Sequence, residues 1–145
     1  MDWKRESKEE LREYAVKQAA LRSIPEELAQ LKAESKSMGG SSTSSTPVKG
    51  GGSAREDKQI NLIVKREKLE TSLRHTRVWV AKVEKGLSAL SSEEKLILER
   101  FYIYPAKGNL DRLCEELNIE KSAVYLRKDA ALRRYTLARY GCVEV

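Results

Sequence analysis

The chain holds one histidine, one phenylalanine, three prolines and two cysteines in 145 residues, and each scarcity closes off a class of function. The histidine, His75, stands between Arg74 and Thr76 in a helical pattern, without the Cys, Ser or carboxylate neighbours that build a nucleophile or a metal site. No enzyme activity, cofactor or metal centre is expected. Cys114 and Cys142 have neither metal-ligand spacing nor the density of a disulfide-stapled secreted scaffold, so a reducing cytoplasm is the natural compartment. No apolar run approaches the ~18 residues that span a bilayer. Met1-Asp2-Trp3-Lys4-Arg5-Glu6 leads into no hydrophobic segment of the kind a signal peptide requires. The expectation is a soluble cytoplasmic protein without a membrane partner.

Low aromatic content, 6%, beside abundant Leu, Ala, Glu, Lys and Arg favours helices and an all-α fold. The length suits one domain, or a small domain with a helical extension. Four segments are expected: an N-terminal helical segment (1–36), a flexible Ser/Thr/Gly linker (37–53), a long amphipathic helix (54–90) and a C-terminal domain (91–145). The linker assignment rests on small residues that lose much entropy on ordering, such as Ser41-Ser42-Thr43-Ser44-Ser45-Thr46 and Gly50-Gly51-Gly52. It lacks the Gly-Lys-Ser/Thr signature of a phosphate-binding loop.

Periodicity predicts helices at about 3–22, 25–35, 56–88, 92–103, 110–117 and 121–138. Pro25 is expected to break the first pattern, because proline disfavours the helical conformation at Ile24 and suits a fresh first turn. Leu62, Leu69, Leu73, Val80, Val83, Leu87 and Leu90 follow a 3-4 repeat, with Arg66 and Thr76 in the two skipped positions. A stripe this narrow needs a partner, either the N-terminal helix of the same chain or a second subunit in a homodimer through the 62–90 seam. Ser91 and Glu94 form a capping box before Leu96, Ile97 and Leu98. Asn109 is expected to cap the following helix, and Asn118 to end it in the left-handed region. Trp3 and Trp79 could stack on bases, but in such helices they more often pack.

Net charge is +6, unevenly placed. Residues 54–90 carry nine Lys and Arg against five acids, whereas 91–145 carry ten against nine. Within the latter, residues 121–140 hold six cations and one acid, Asp129. This basic stretch follows Leu113-Cys114-Glu115-Glu116-Leu117-Asn118-Ile119-Glu120-Lys121-Ser122-Ala123-Val124. Small Cys114 lets two helices approach, Leu113 and Leu117 face inward, Asn118 turns the chain, and Ile119 and Val124 anchor the next helix. Those are the steric needs of a helix-turn-helix whose second helix enters the major groove of duplex DNA. Lys121, Ser122 and Leu126 are the candidate base contacts, joined by Arg127 if Tyr125 rotates the helix, and Lys128, Arg133 and Arg134 are the candidate phosphate contacts. Arg127 stands where a buried aliphatic residue would be expected, and Tyr125 is a candidate to take over that packing.

Leu90-Ser91-Ser92-Glu93-Glu94 through Leu98, then Arg100-Phe101-Tyr102-Ile103, Leu110 to Cys114 and Leu117 to Tyr125, with Ala131-Leu132 closing, resembles the fourth region of sigma factors. The order of parts is similar to that of the ArpU/RinA-type transcriptional regulators of phages and prophages in Gram-positive bacteria. That resemblance implies regulation of late phage genes in the bacterial host cytoplasm, at promoter DNA and with RNA polymerase as a further partner. Two other readings remain open: a DNA-recognition protein for phage packaging, like small terminase subunits, and a helical protein-interaction module that binds no DNA.

Overall fold

The computed structural model describes residues 2–40 and 51–143. Five α-helices, with no strand among the described residues, follow in order: α1 (Trp3–Gly40), α2 (Gly51–Ser88), α3 (Ser92–Leu98), α4 (Asn109–Leu117) and α5 (Lys121–Tyr140). A π-helical turn, Glu99–Ile103, extends α3. The all-α expectation holds. Residues are grouped into two compact units, one from 2–18 with 78–143 and the other from 19–77.

Asp2 opens α1, its Oδ1 accepting from the backbone N–H groups of Lys4 at 3.1 Å and Arg5 at 3.3 Å. The helix then runs through Pro25 without the expected break. Proline costs the helix one backbone hydrogen bond, on the order of 3 kcal/mol. In the unit 19–77, Leu28 and Leu31 beyond the proline are buried, as is Leu73 of α2, and this burial offsets that cost. Leu31 and Leu69 line one cleft there with Glu27, Gln30, Glu34 and Lys65, which places α1 beside α2. Residues 37–40 and 51–53 are helical rather than linker, because α1 and α2 each continue into them. The remainder of the expected linker, 41–50, lies outside the described residues.

In the other unit, α1 covers the seam of α2 within the same chain. Leu11, Tyr14, Val80 and Val83 are buried, the Tyr14 hydroxyl donates to Glu84 Oε1 at 3.0 Å, and Lys17 Nζ sits 4.1 Å from the Trp79 ring centroid. Gly86 near the end of α2 faces Tyr135 of α5 so closely that an added Cβ would lie 2.7 Å from its Cε2. The requirement here is space.

The Ser91–Glu94 capping box forms as read, with Glu94 N–H donating to Ser91 Oγ at 3.2 Å and Ser91 N–H to Glu94 Oε1 at 3.1 Å. The helix expected to run 92–103 instead widens at its end, where Tyr104 N–H donates to Glu99 O at 2.7 Å, five residues back. Asn109 serves this turn and does not cap α4. Buried as the first helical residue, it donates through Nδ2 to Arg100 O at 3.0 Å and Tyr104 O at 3.1 Å. Gly108 is the residue that flanks α4, at φ 82°, a left-handed conformation that glycine adopts without steric cost. Asn118 ends α4 at φ 53° and ψ 49°, as expected, and Ile119 N–H donates to Cys114 O at 3.2 Å. Ile97, Leu113 and Val124, fully buried, form the centre where α3, α4 and α5 meet, packed by Leu96, Phe101, Leu110, Cys114, Leu117 and Ile119.

Candidate nucleic-acid interface

Asn118, Ile119 and Glu120 join α4 to α5, and the buried contacts of α5 decide which of its faces remains open. Val124, Ala131, Leu132, Tyr135 and Thr136 are buried. At ~100° per residue, the side opposite them carries Ser122, Leu126, Ala130, Arg133 and Leu137. All five are exposed, Leu126 by 73%. Val124 is fully buried and Tyr125 is 45% exposed, so the helix is not rotated and Tyr125 does not take over the buried position expected at Arg127. Tyr125 instead lies half-exposed against Phe101, with ring centroids 5.9 Å apart, and Arg127 falls on the flank facing α3.

The sequence-selected cations do not share one environment. Arg127 pairs with Glu93, and Arg134 Nη1 donates to Glu94 Oε1 at 2.9 Å. Both acids belong to the first turn of α3, and a shallow cleft lined by Glu93, Glu94, Ile97, Arg127 and Ala130 lies between the helices. Lys121 Nζ stands 3.6 Å from Asp111 Oδ1 of α4, with both side chains exposed. Lys128 is drawn inward, its side chain 18% exposed and its ammonium 5.1 Å from the Phe101 and 5.0 Å from the Tyr125 ring centroids. Arg133 has no ion-pair partner among the described residues. Thus Lys121, Ser122, Leu126, Arg127, Arg133 and Arg134 reach the surface, whereas Lys128 serves packing.

Burial alone would raise the Glu94 carboxyl, but hydrogen bonds from the backbone N–H and hydroxyl of Ser91 and the charge of Arg134 outweigh it, and its pKa falls below the ordinary carboxylate range. The Arg134 partner therefore carries full charge at neutral pH.

The far end of α5 is anchored by a group that sequence reasoning missed. Glu10 of α1, almost fully buried, accepts from the Tyr135 hydroxyl (Oε1, 2.6 Å), the Tyr140 hydroxyl (Oε2, 2.6 Å) and Arg139 (3.0 and 3.3 Å). Ser7 and Thr136 share a further buried hydrogen bond at 2.8 Å, and Trp3 packs on Tyr140 with ring centroids 4.8 Å apart. Trp3 and Trp79 are both packing residues. No buried side-chain donor or acceptor among the described residues lacks a partner. The only sequence signal for this hub was an acid, Glu10, beside the apolar stripe begun by Leu11. His75 is exposed on α2, no group of three or more metal-ligating side chains occurs among the described residues, and none of their helices is long and apolar enough to cross a membrane.

No protein-family model matches the chain, and neither a curated protein nor a solved structure was found to match it.

Proposed function

We propose that this chain is a DNA-binding transcriptional regulator, with α4 and α5 as a helix-turn-helix and the outward N-terminal half of α5 as the reading surface. The observation that carries the reading is the pairing of a rigid base with an open face. Ile97, Leu113 and Val124 fix α5 beside α4 around the left-handed Asn118, while Ser122, Leu126 and Arg133 point away from the body. The first turns of such a helix meet base edges. Lys121, Ser122 and Leu126 are therefore the base-reading set, and Arg127, on the flank, lies with Arg133 and Arg134 along the flanking phosphates. The resemblance to sigma region four and to the ArpU/RinA-type regulators supplies the biological setting: late phage or prophage genes in a bacterial cytoplasm, at promoter DNA and beside RNA polymerase.

A test uses Lys121→Ala and Arg134→Ala, titrated on a selected and a scrambled duplex over a range of salt. Loss of a base contact costs ~1–3 kcal/mol at one position of the site, whereas loss of a phosphate contact weakens all duplexes alike and lowers the salt slope by about one. If both variants bind every duplex as the wild type does, α5 is not the reading element.

A second reading, a protein-interaction module without DNA binding, is favoured by the apolar character of the open face, where Leu126 and Leu137 are exposed. Salt-insensitive or absent duplex binding by the wild-type chain would select it.

A further inference from the structure

Resting on that reading, we propose that Glu93 and Glu94 restrain the affinity of α5 for DNA: they hold Arg127 and Arg134 on carboxylates that a DNA phosphate must displace, so that a duplex offering no base contacts is bound only weakly. Four of the five cations between Lys121 and Arg134 have an acidic partner, on α3 (Glu93, Glu94), on α4 (Asp111) or, for Lys128, on the neighbouring Asp129. Arg133 is the exception among them. The basic stretch seen in the sequence is therefore largely neutralised where it would face DNA.

Arg127 and Arg134 lie seven residues apart, which brings them within ~20° of one another around the helix, on the flank that faces the first turn of α3. There Glu94 Oε1 accepts at once from Ser91 N–H at 3.1 Å and from Arg134 at 2.9 Å, so the capping box that starts α3 also fixes the acceptor. Both pairs join residues 34 or 40 positions apart, so they exist only in the folded domain.

Sequence-independent affinity grows with the number of cations available to neutralise phosphates, each contributing a salt slope of about −0.9. A guanidinium already on a carboxylate exchanges one anion for another when it meets a phosphate. Such an exchange yields little on a random duplex. On the correct sequence, base-edge hydrogen bonds supply the surplus that makes it favourable. The acids thus lower affinity for every duplex by about the same factor, and only a duplex that also offers base contacts still binds tightly.

The full-length chain and its Glu93→Gln and Glu94→Gln variants would be titrated by fluorescence anisotropy at several salt concentrations. The probes are a duplex selected from a random-sequence pool for binding to the wild type, and its scrambled counterpart. Glutamine retains the capping box at position 94, and Glu93 takes no part in that box, so helicity and melting serve as folding controls. Glu67→Gln, at an exposed position of α2, makes the same change in net charge elsewhere. Each α3 variant should tighten binding to the scrambled duplex about 2- to 5-fold, the scale of an exposed ion pair, and steepen its salt slope by about one. Binding to the selected duplex should tighten by a similar factor, so that the ratio of the two affinities holds, and Glu67→Gln should leave both unchanged. Unaltered scrambled binding in both α3 variants, or an equal effect from Glu67→Gln, overturns the proposal while leaving DNA reading by α5 intact. A wild-type chain that binds no duplex at any salt concentration defeats the functional reading itself, and this inference with it.

Discussion

Arg139 and Arg127 stand on the same helix and each meets a glutamate, yet the two pairs are different objects. Arg139 and Glu10 have side chains only 16% and 8% exposed, whereas those of Arg127 and Glu93 are 48% and 41% exposed. The first carboxylate also accepts two tyrosine hydroxyls, so removing it strands several buried donors. The second pair is open to water and salt, where a phosphate can compete for the guanidinium. One end of α5 is therefore locked into the body by its charges, and the other end keeps its charges exchangeable. The role proposed for α5, meeting DNA without drifting, needs both.

The largest effect that could break this contrast is expected from Glu10→Ala. It leaves the Tyr135 and Tyr140 hydroxyls and the Arg139 guanidinium without their common acceptor, and a loss of about 3–5 kcal/mol is expected by analogy with one-sided disruption of buried pairs. Urea unfolding followed by circular dichroism would measure it. A loss under ~1 kcal/mol would put Glu10 in the same class as Glu93.

Alkaline titration examines the locked end next. Burial, then the hydrogen bond to Glu84, pushes Tyr14 up to about 12, and burial followed by the Glu10 contact raises Tyr135 and Tyr140 further. These groups keep protons in the folded chain that the unfolded chain releases near pH 10. Their contribution is therefore complete below pH 10 and is lost as pH rises through the folded values, which for Tyr14 means between about 10 and 12. Melting temperature should fall across that window, and Tyr14→Phe should make the fall shallower. An identical slope in the variant would show that the Tyr14–Glu84 contact does not govern its titration.

Much of the open end was legible in the sequence because its determinants are local. Ser91 and Glu94, three residues apart, declare a cap. Asn118 declares a left-handed stop, and the spacing of Leu113, Leu117, Ile119 and Val124 declares a shared core. The locked end was not legible, since Glu10 and Tyr135 are 125 residues apart and nothing in either local pattern names the other. Asn109 misled for a related reason: an asparagine before a helix reads as a cap, but a π turn nine residues earlier claims its amide. Pro25 misled because local propensity yields to burial on both sides of it. The paired state of the α5 cations was likewise hidden, because the capping-box motif accounts for Glu94 without revealing that the same oxygen also receives Arg134.

Gly86→Ala should act on the locked end with a smaller effect. Its Cβ would overlap the fully buried Tyr135 ring, and overpacking of this kind typically costs ~1–3 kcal/mol. The gain in helix propensity, ~1 kcal/mol, works in the opposite direction. A net destabilisation in thermal melts confirms close contact between α2 and α5. A net stabilisation would mean that the ring moves aside freely.

The smallest effect belongs to the open end. A double-mutant cycle on Arg127→Ala and Glu93→Ala isolates the pair from whatever each side chain does alone. Exposed pairs couple by ~0.2–1 kcal/mol, because water screens the charges and two long side chains lose freedom to meet. The coupling should lie in that range at low salt and shrink towards zero as salt rises, because ions in solution compete with both partners. A coupling of several kcal/mol, or one indifferent to salt, would mean that Arg127 is locked as firmly as Arg139. Phosphate could then not displace Glu93, and the difference between the two ends of α5 would be one of position alone.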